Sequence, residues 1–204
     1  MMLERLRLYL SQSDYEAPPV GALESPAAVL IAITEHEEAP AVVLTRRSLK
    51  LKNHSGEVSL PGGKWEPQDR TLQETALREA EEEIGLDPGV VEVLGALPVF
   101  QTWKGVNVAP FVGVIPPHLE FVPNYDELDE IFLVPLSFFV EDQRIRTDVF
   151  EREVGHVWSP AYEFDGFEIW GFTARLLINF LNDAFEEVEI LRESPAPIKD
   201  WSQG

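Results

Sequence analysis

A chain of 204 residues, 45% of them hydrophobic, fits one domain with short appendages and has enough apolar material for a sizeable core, which excludes disorder as the default. Sixteen basic against 36 acidic residues give a net charge of −20, so the clustered cations that a nucleic-acid partner needs are not expected. With no cysteine there is no disulfide, thiolate zinc site or cysteine nucleophile, and no stretch approaches the roughly 20 apolar residues of a membrane span. The start, MMLERLRLYLSQSD, alternates charged and apolar residues and lacks the apolar run of a signal peptide. A soluble cytoplasmic protein is expected, with no nucleic-acid or membrane partner.

In chain order, residues 1–12 read as a short amphipathic helix, followed by the Pro-rich connector EAPPVGALESP. Strands are predicted at 27–35 and 41–47, both rich in Val, Ile and Leu. LPGGKWEPQDR has the Gly, Pro and Asp of a turn. Residues 71–85 are helix formers throughout, with Gly85 and then Asp87-Pro88 to end the helix. Further strands are predicted at 90–97, 106–115 and 130–134, then a short helix at LSFF. Asp165-Gly166 between apolar runs marks a hairpin over 161–170. Phe172, Leu176, Leu177, Phe180, Leu181 and Phe185 recur at helical spacing and predict a closing helix that packs on the core. A loose tail is expected over 186–204, leaving one domain with its core at 27–185 and a helix and connector at 1–26. Intermixed strands and helices indicate an α/β layered fold.

Glu79, Glu82 and Glu83 stand at i, i+3 and i+4 of the 71–85 helix and share one face over about 6 Å of its axis. Glu74 and Glu81 point roughly opposite and read as solvated. Clustering alone does not establish a metal site, because like charges at this spacing cost only a few tenths of a kcal/mol on an exposed helix. The preceding Gly62-Gly63 adds to it. A backbone free of Cβ can approach closely, and a loop carbonyl beside three carboxylates makes an all-oxygen site for a hard cation.

The run GKWEPQDRTLQETALREAEEEIGL resembles the Nudix box, G-x5-E-x7-R-E-U-x-E-E-x-G-U with U apolar: Gly63, Arg78-Glu79, Ala80, Glu82-Glu83, Gly85 and Leu86 match. Asp69 stands where the box has Glu, and eight residues rather than seven separate it from Arg78. The resemblance implies a Nudix fold, an α/β/α sandwich around a mixed β-sheet. It also implies a hydrolase that cleaves pyrophosphate bonds with Mg²⁺ or Mn²⁺. Glu79, Glu82 and Glu83 would be metal ligands, Gly63 a backbone ligand, and Arg78 the residue that orients the glutamates. Glu127, in NYDELDEIFLVPL, falls where the family often places a base or an extra ligand; an exposed acidic loop residue is the alternative.

Between Arg46 and Lys64 the charge reverses sign, with five basic residues (Arg46, Arg47, Lys50, Lys52, Lys64) against Glu57. This is either a solvated loop or a phosphate grip. VLTRRSLKLKNHSGEVSLPGG resembles the signature of coenzyme A diphosphatases, L-L-T-x-R-S-x3-R-x3-G-x3-F-P-G-G: Leu44, Thr45, Arg47, Ser48, Gly56, Pro61, Gly62 and Gly63 match, while Val43, Lys52 and Leu60 replace Leu, Arg and Phe. VAPFVGVIPP (108–117) and IWGFTA (169–174) extend the likeness over about 27–182. It implies coenzyme A or its acyl derivatives as substrate and 3′,5′-ADP and 4′-phosphopantetheine as products, with Arg46, Arg47, Lys50 and Lys52 binding substrate. Another nucleotide pyrophosphate, such as ADP-ribose or NADH, is the first alternative, and a silent ligand sensor the second. A homodimer is left open. His54 either touches phosphate or has no catalytic task, while Phe100 and Trp103 either line a pantetheine pocket or pack in the core or at the rim. His36, His118 and His156 lack partner spacing for a metal or a triad.

Overall fold

The computed structural model describes residues 2–36, 38–152, 155–185, 190 and 197–201. Its contacts divide the chain into two compact units, Met1–Pro135 and Leu136–Gly204.

The first unit opens with α1 (Met2–Ser11), whose Leu3, Leu6 and Leu10 are buried at helical spacing. Next come β1 (Pro26–Thr34), β2 (Ala41–Arg47), β3 (Val58–Ser59) and β4 (Gly62–Lys64). After these follow α2 (Leu72–Ile84), β5 (Glu92–Ala96), β6 (Phe100–Gln101), β7 (Asn107–Ile115) and β8 (Leu128–Pro135). The predicted strands at 27–35, 41–47, 90–97, 106–115 and 130–134 are all present, with ends shifted by a few residues. These strands form one mixed sheet in the order β3-β2-β1-β7-β5, with β4 on β1, β6 on β7 and β8 on β2. β1 and β7 run parallel from Pro26↔Asn107 to Thr34↔Ile115, and the other pairings are antiparallel. β1 is buried on both faces, which explains its near-continuous apolar sequence. Ala28, Leu30 and Ala32 on one face share a core with Leu72, Ala76, Ala80 and Ile84 of α2. Thr71 caps α2 by accepting from the Glu74 N–H, and Gly85 ends it in the left-handed conformation.

The segment read as a turn is partly strand. β1 and β2 face each other only near Ile33↔Val42, and at the other end of β1 the chain lays β4 against it, Ala28↔Gly63 and Val29↔Gly62. Gly62 is what makes this approach feasible. A Cβ on Gly62 would overlap the Ala28 carbonyl and lie 2.7 Å from the Val29 Cα.

The second unit contains α3 (Leu136–Val140), β9 (Arg144–Arg152), β10 (Gly155–Phe164), β11 (Phe167–Ile169), α4 (Gly171–Ala184) and β12 (Ile198–Asp200). The hairpin turns at Asp165 and Gly166, both at positive φ as a tight primed turn requires. α4 is the expected closing helix and packs on β10. β9 escaped prediction because charged residues alternate along it. Arg146 is neutralised by Asp148, which is fully buried, and by Glu168 of β11. The loose tail is corrected in its described part, where β12 adds to β9 in parallel, Ile198↔Thr147. Residues 186–189, 191–196 and 202–204 lie outside the described residues.

Because β4 depends on that glycine contact, Gly62→Ala should lower stability by about 1–3 kcal/mol, the range for forced overpacking. Gly21→Ala is the control, since a Cβ there meets nothing within 4 Å. Thermal unfolding checks this, and equal melting temperatures for the two variants would contradict it.

Candidate metal and pyrophosphate site

Three parts of the first unit meet at α2: the β4 strand, the loop before β8, and the end of β2. Gly63 faces Glu79 so closely that a Cβ would overlap the carboxylate. One residue earlier, the Gly62 N–H donates to Glu83 Oε2 at 3.0 Å. The three glutamates on the predicted face differ in exposure. The Glu83 side chain is 3% exposed, Glu79 15% and Glu82 58%. The face therefore grades from core to solvent, with its buried end against the glycine backbone.

Arg78 organises this face. Its guanidinium forks onto Asp69, Nε to Oδ1 at 2.9 Å and Nη2 to Oδ2 at 3.1 Å. It also reaches the Lys64 carbonyl at 3.1 Å, Glu79 at 3.0 Å and Glu82 at 3.1 Å. Asp69 is buried and accepts in addition from Thr75 Oγ1 and the Glu66 N–H. Burial alone would raise its pKa. The Arg78 bond, then Glu66 and Thr75, overcome this and hold Asp69 below the usual carboxylate range. The same bond raises Arg78 above its ordinary value. The shorter acid standing in the glutamate position, with one extra residue between it and Arg78, thus still meets the arginine as a bidentate pair.

Glu127 enters by a backbone route. Beyond α2, the Val122 N–H donates to the Ile84 carbonyl and the Asn124 N–H to the Glu83 carbonyl, both at 2.9 Å. Asn124 then receives the Glu127 and Leu128 N–H groups, and the Glu127 carbonyl accepts from the Ser48 N–H at 2.8 Å. The Glu127 carboxylate is exposed but close enough to raise the pKa of both Glu79 and Glu83. Glu79 is raised first by burial, against Arg78, with Glu82 and Glu127 adding to the rise. Glu83 is pushed up to about 8, again by burial first, against the Gly62 N–H, with Glu79 and Glu127 adding and Arg47 opposing.

Of the basic residues, Arg47 lies 3.9 Å from Glu83 and Arg46 3.5 Å from Asp129. Lys50 and Lys52 are exposed on the loop that follows. Asp129 escaped sequence reasoning. A register shift between Arg46↔Glu130 and Arg47↔Leu128 makes it the extra residue of a bulge, from which it accepts the Ser48 hydroxyl and the Leu49 N–H, each at 2.9 Å. Those two bonds hold its pKa down and fix the start of the basic loop. Only the position of Asp129 on a strand edge would have pointed to it, and the bulge that turns it is not visible in sequence.

The donor set fits a hard divalent cation: carboxylates with raised pKa, a backbone that a side chain would crowd out, and oxygen atoms throughout. Among the described residues no three His, Asp or Glu side chains converge closely enough to coordinate one ion as they stand. Their oxygens are turned instead to Arg78 and the Gly62 N–H.

The model of the NUDIX domain matches residues 24–164. The chain belongs to the Nudix family. "Nudix hydrolase 15, mitochondrial" of Arabidopsis thaliana is 42% identical over 170 residues, 78% of this chain and 59% of that protein. "Uncharacterized Nudix hydrolase NudL" of Salmonella typhimurium is 37% identical over 177 residues, 86% and 88% of the two chains. A MutT/nudix family protein from Enterococcus faecalis shares the fold, with a TM-score of 0.52 at 16% identity over 95% of this chain and 73% of that one. The Nudix α/β fold expected from the box is therefore the fold of this chain. Among the described residues, no helix is long and apolar enough to cross a membrane.

Glu83 yields a pH prediction. Its folded pKa of about 8 lies above the ordinary 4.5, so the folded chain keeps a proton that the unfolded chain releases between those values. The stabilisation from the neutral acid is full below 4.5 and is lost as pH rises through 8. In EDTA, Glu83→Gln should melt progressively higher than the parent as pH goes from 5 to about 8. A melting-temperature difference that does not change with pH would contradict the assignment.

Proposed function

We propose that this chain is a divalent-metal-dependent pyrophosphohydrolase whose substrate is coenzyme A or an acyl derivative. One observation carries the hydrolase part: a buried carboxylate, Glu83, held on the Gly62 N–H beside a second, Glu79, that fills the space a Cβ on Gly63 would take. Glu79, Glu82, Glu83 and the Gly63 carbonyl would hold Mg²⁺ or Mn²⁺, with Glu127 completing the shell or taking the proton of attacking water. A bound cation supplies charge neutralisation on the pyrophosphate oxygens and acidifies water. The chain's own contribution is orientation. Asp69 fixes Arg78, and Arg78 restrains Glu79 and Glu82 from one side while the glycine backbone meets Glu79 and Glu83 from the other. Glu127 reaches the same acids through the Asn124 turn.

The substrate part is supported by the basic loop. Arg47 faces Glu83 directly, and the loop that it begins is clamped by Asp129 through Ser48 and Leu49. Cations fixed beside a pyrophosphate site suit a substrate with more phosphate than the scissile pair. Arg46, Arg47, Lys50 and Lys52 are assigned to that binding. The chain is taken to act as one Nudix domain, a reading supported by a family match that runs over 24–164.

A substrate panel tests the proposal. The full chain with Mg²⁺ or Mn²⁺ should convert coenzyme A to 3′,5′-ADP and phosphopantetheine, outpace ADP-ribose and NADH by kcat/KM, and fall to background in EDTA. Turnover that survives EDTA would overturn the metal role, and a preference for ADP-ribose or NADH would overturn the substrate.

A further inference from the structure

The turn between β6 and β7 brings a cation to the basic loop from elsewhere in the chain. Thr102 closes this turn: its N–H donates to the Val106 carbonyl at 2.8 Å, and its carbonyl accepts from Gly105 at 3.0 Å. Its hydroxyl accepts from the Val106 N–H at 3.1 Å. At the tip, Trp103 is 46% exposed and Lys104 is exposed. Lys104 Nζ lies 3.0 Å from His54 Nε2, although 50 residues separate them. His54 Nδ1 is 2.7 Å from Glu57 Oε2.

An ammonium has donors only, so Nε2 accepts from Lys104 and the Nδ1–H donates to Glu57. The imidazole bridges the lysine and the glutamate. It orients the lysine without cancelling its charge. Several arginines of the protein sit on carboxylates: Arg7 on Glu35 and Glu92, Arg70 on Glu74, Arg144 on Asp142, Arg146 on Asp148 and Glu168. Among the described residues none of the five lysines forms an ion pair with a carboxylate, and three of them, Lys50, Lys52 and Lys104, lie on these two loops, with Lys50 near enough to Asp129 to help hold its pKa down. In a chain of net charge −20, lysines gathered on two touching loops mark a place for an anion.

The position separates this place from the glycine turn. Val108, just beyond the turn, and Lys64 of β4 both pair with Ala27, on opposite sides of β1. The Trp103-Lys104 turn thus leaves the sheet about two strand spacings, roughly 10 Å, from the strand that carries Gly63. That places it beside the pyrophosphate site and not inside it.

We propose that Lys104, held by His54 of the basic loop that also carries Lys52, is a subsite for a phosphomonoester elsewhere on the substrate. The proposal rests on reading the main site as one for a nucleotide pyrophosphate. A monoester is favoured because it carries close to two charges at neutral pH, whereas each phosphate of a disubstituted pyrophosphate carries one. His54 acts as a positioning residue, and Lys104 makes the contact.

Calorimetric titration of the full chain with adenosine 3′,5′-bisphosphate and with AMP, both in EDTA, tests this apart from turnover. The parent should bind the bisphosphate about tenfold or more tightly than AMP, the scale of one good charge-assisted contact. Lys104→Gln should bring the ratio of the two affinities close to one, Lys104→Arg should restore it, and His54→Ala should reduce it partway. A parent with no preference, or a Lys104→Gln variant that keeps it, overturns the subsite. A parent that prefers the bisphosphate through Lys104 but does not hydrolyse coenzyme A leaves the subsite standing and removes the proposed substrate. Hydrolysis of coenzyme A with a preference indifferent to Lys104 does the reverse.

Discussion

Glu83 accepts from the Gly62 N–H where almost no water reaches it, and Glu79 occupies the space that any side chain on residue 63 would need. Burial disfavours the charged form of both acids and neighbouring carboxylates add to it, Glu82 and Glu127 for Glu79 and Glu79 and Glu127 for Glu83, so both have raised pKa values. Such an arrangement is costly for a fold on its own account. On the proposed function a cation held there would offset that cost, because the same crowding that disfavours two anions favours a cation between them and the backbone.

The rest of the unit keeps that meeting in register. β4 brings the glycines alongside β1, and α2 rests on the same strand through Ala76, Ala80 and Ile84. The two alanines let the helix lie close to the sheet. The Asp69–Arg78 pair is almost buried and bidentate, and it ties the loop before α2 to the glutamates within the helix. Removing one partner would leave the other charge buried alone, which is why the pair behaves as a strut and not as a surface salt bridge.

Much of this was legible in sequence where local chemistry decides the outcome. Thr71 and Gly85 bound α2 within a residue of the prediction, and the positions of Glu79 and Glu83 on its inner face follow from helical spacing. Glycines at 62 and 63 pointed to close approach, but their composition disguised a strand, since pairing with β1 is a tertiary choice. Asp129 and Lys104 were hidden for the same kind of reason. One depends on a bulge and the other on a turn meeting a loop 50 residues away, and no local pattern encodes either. β9 was obscured because its charges are neutralised within the strand and by β11.

Direct metal binding is the most searching measurement. Titrating Mn²⁺ into the full chain at about pH 8 and counting free ion by electron paramagnetic resonance needs no substrate and no turnover. The account predicts saturable binding by the parent that drops at least about tenfold in a Glu79→Gln, Glu83→Gln double variant, with the fold retained by circular dichroism. Equal Mn²⁺ affinity in parent and double variant would contradict it.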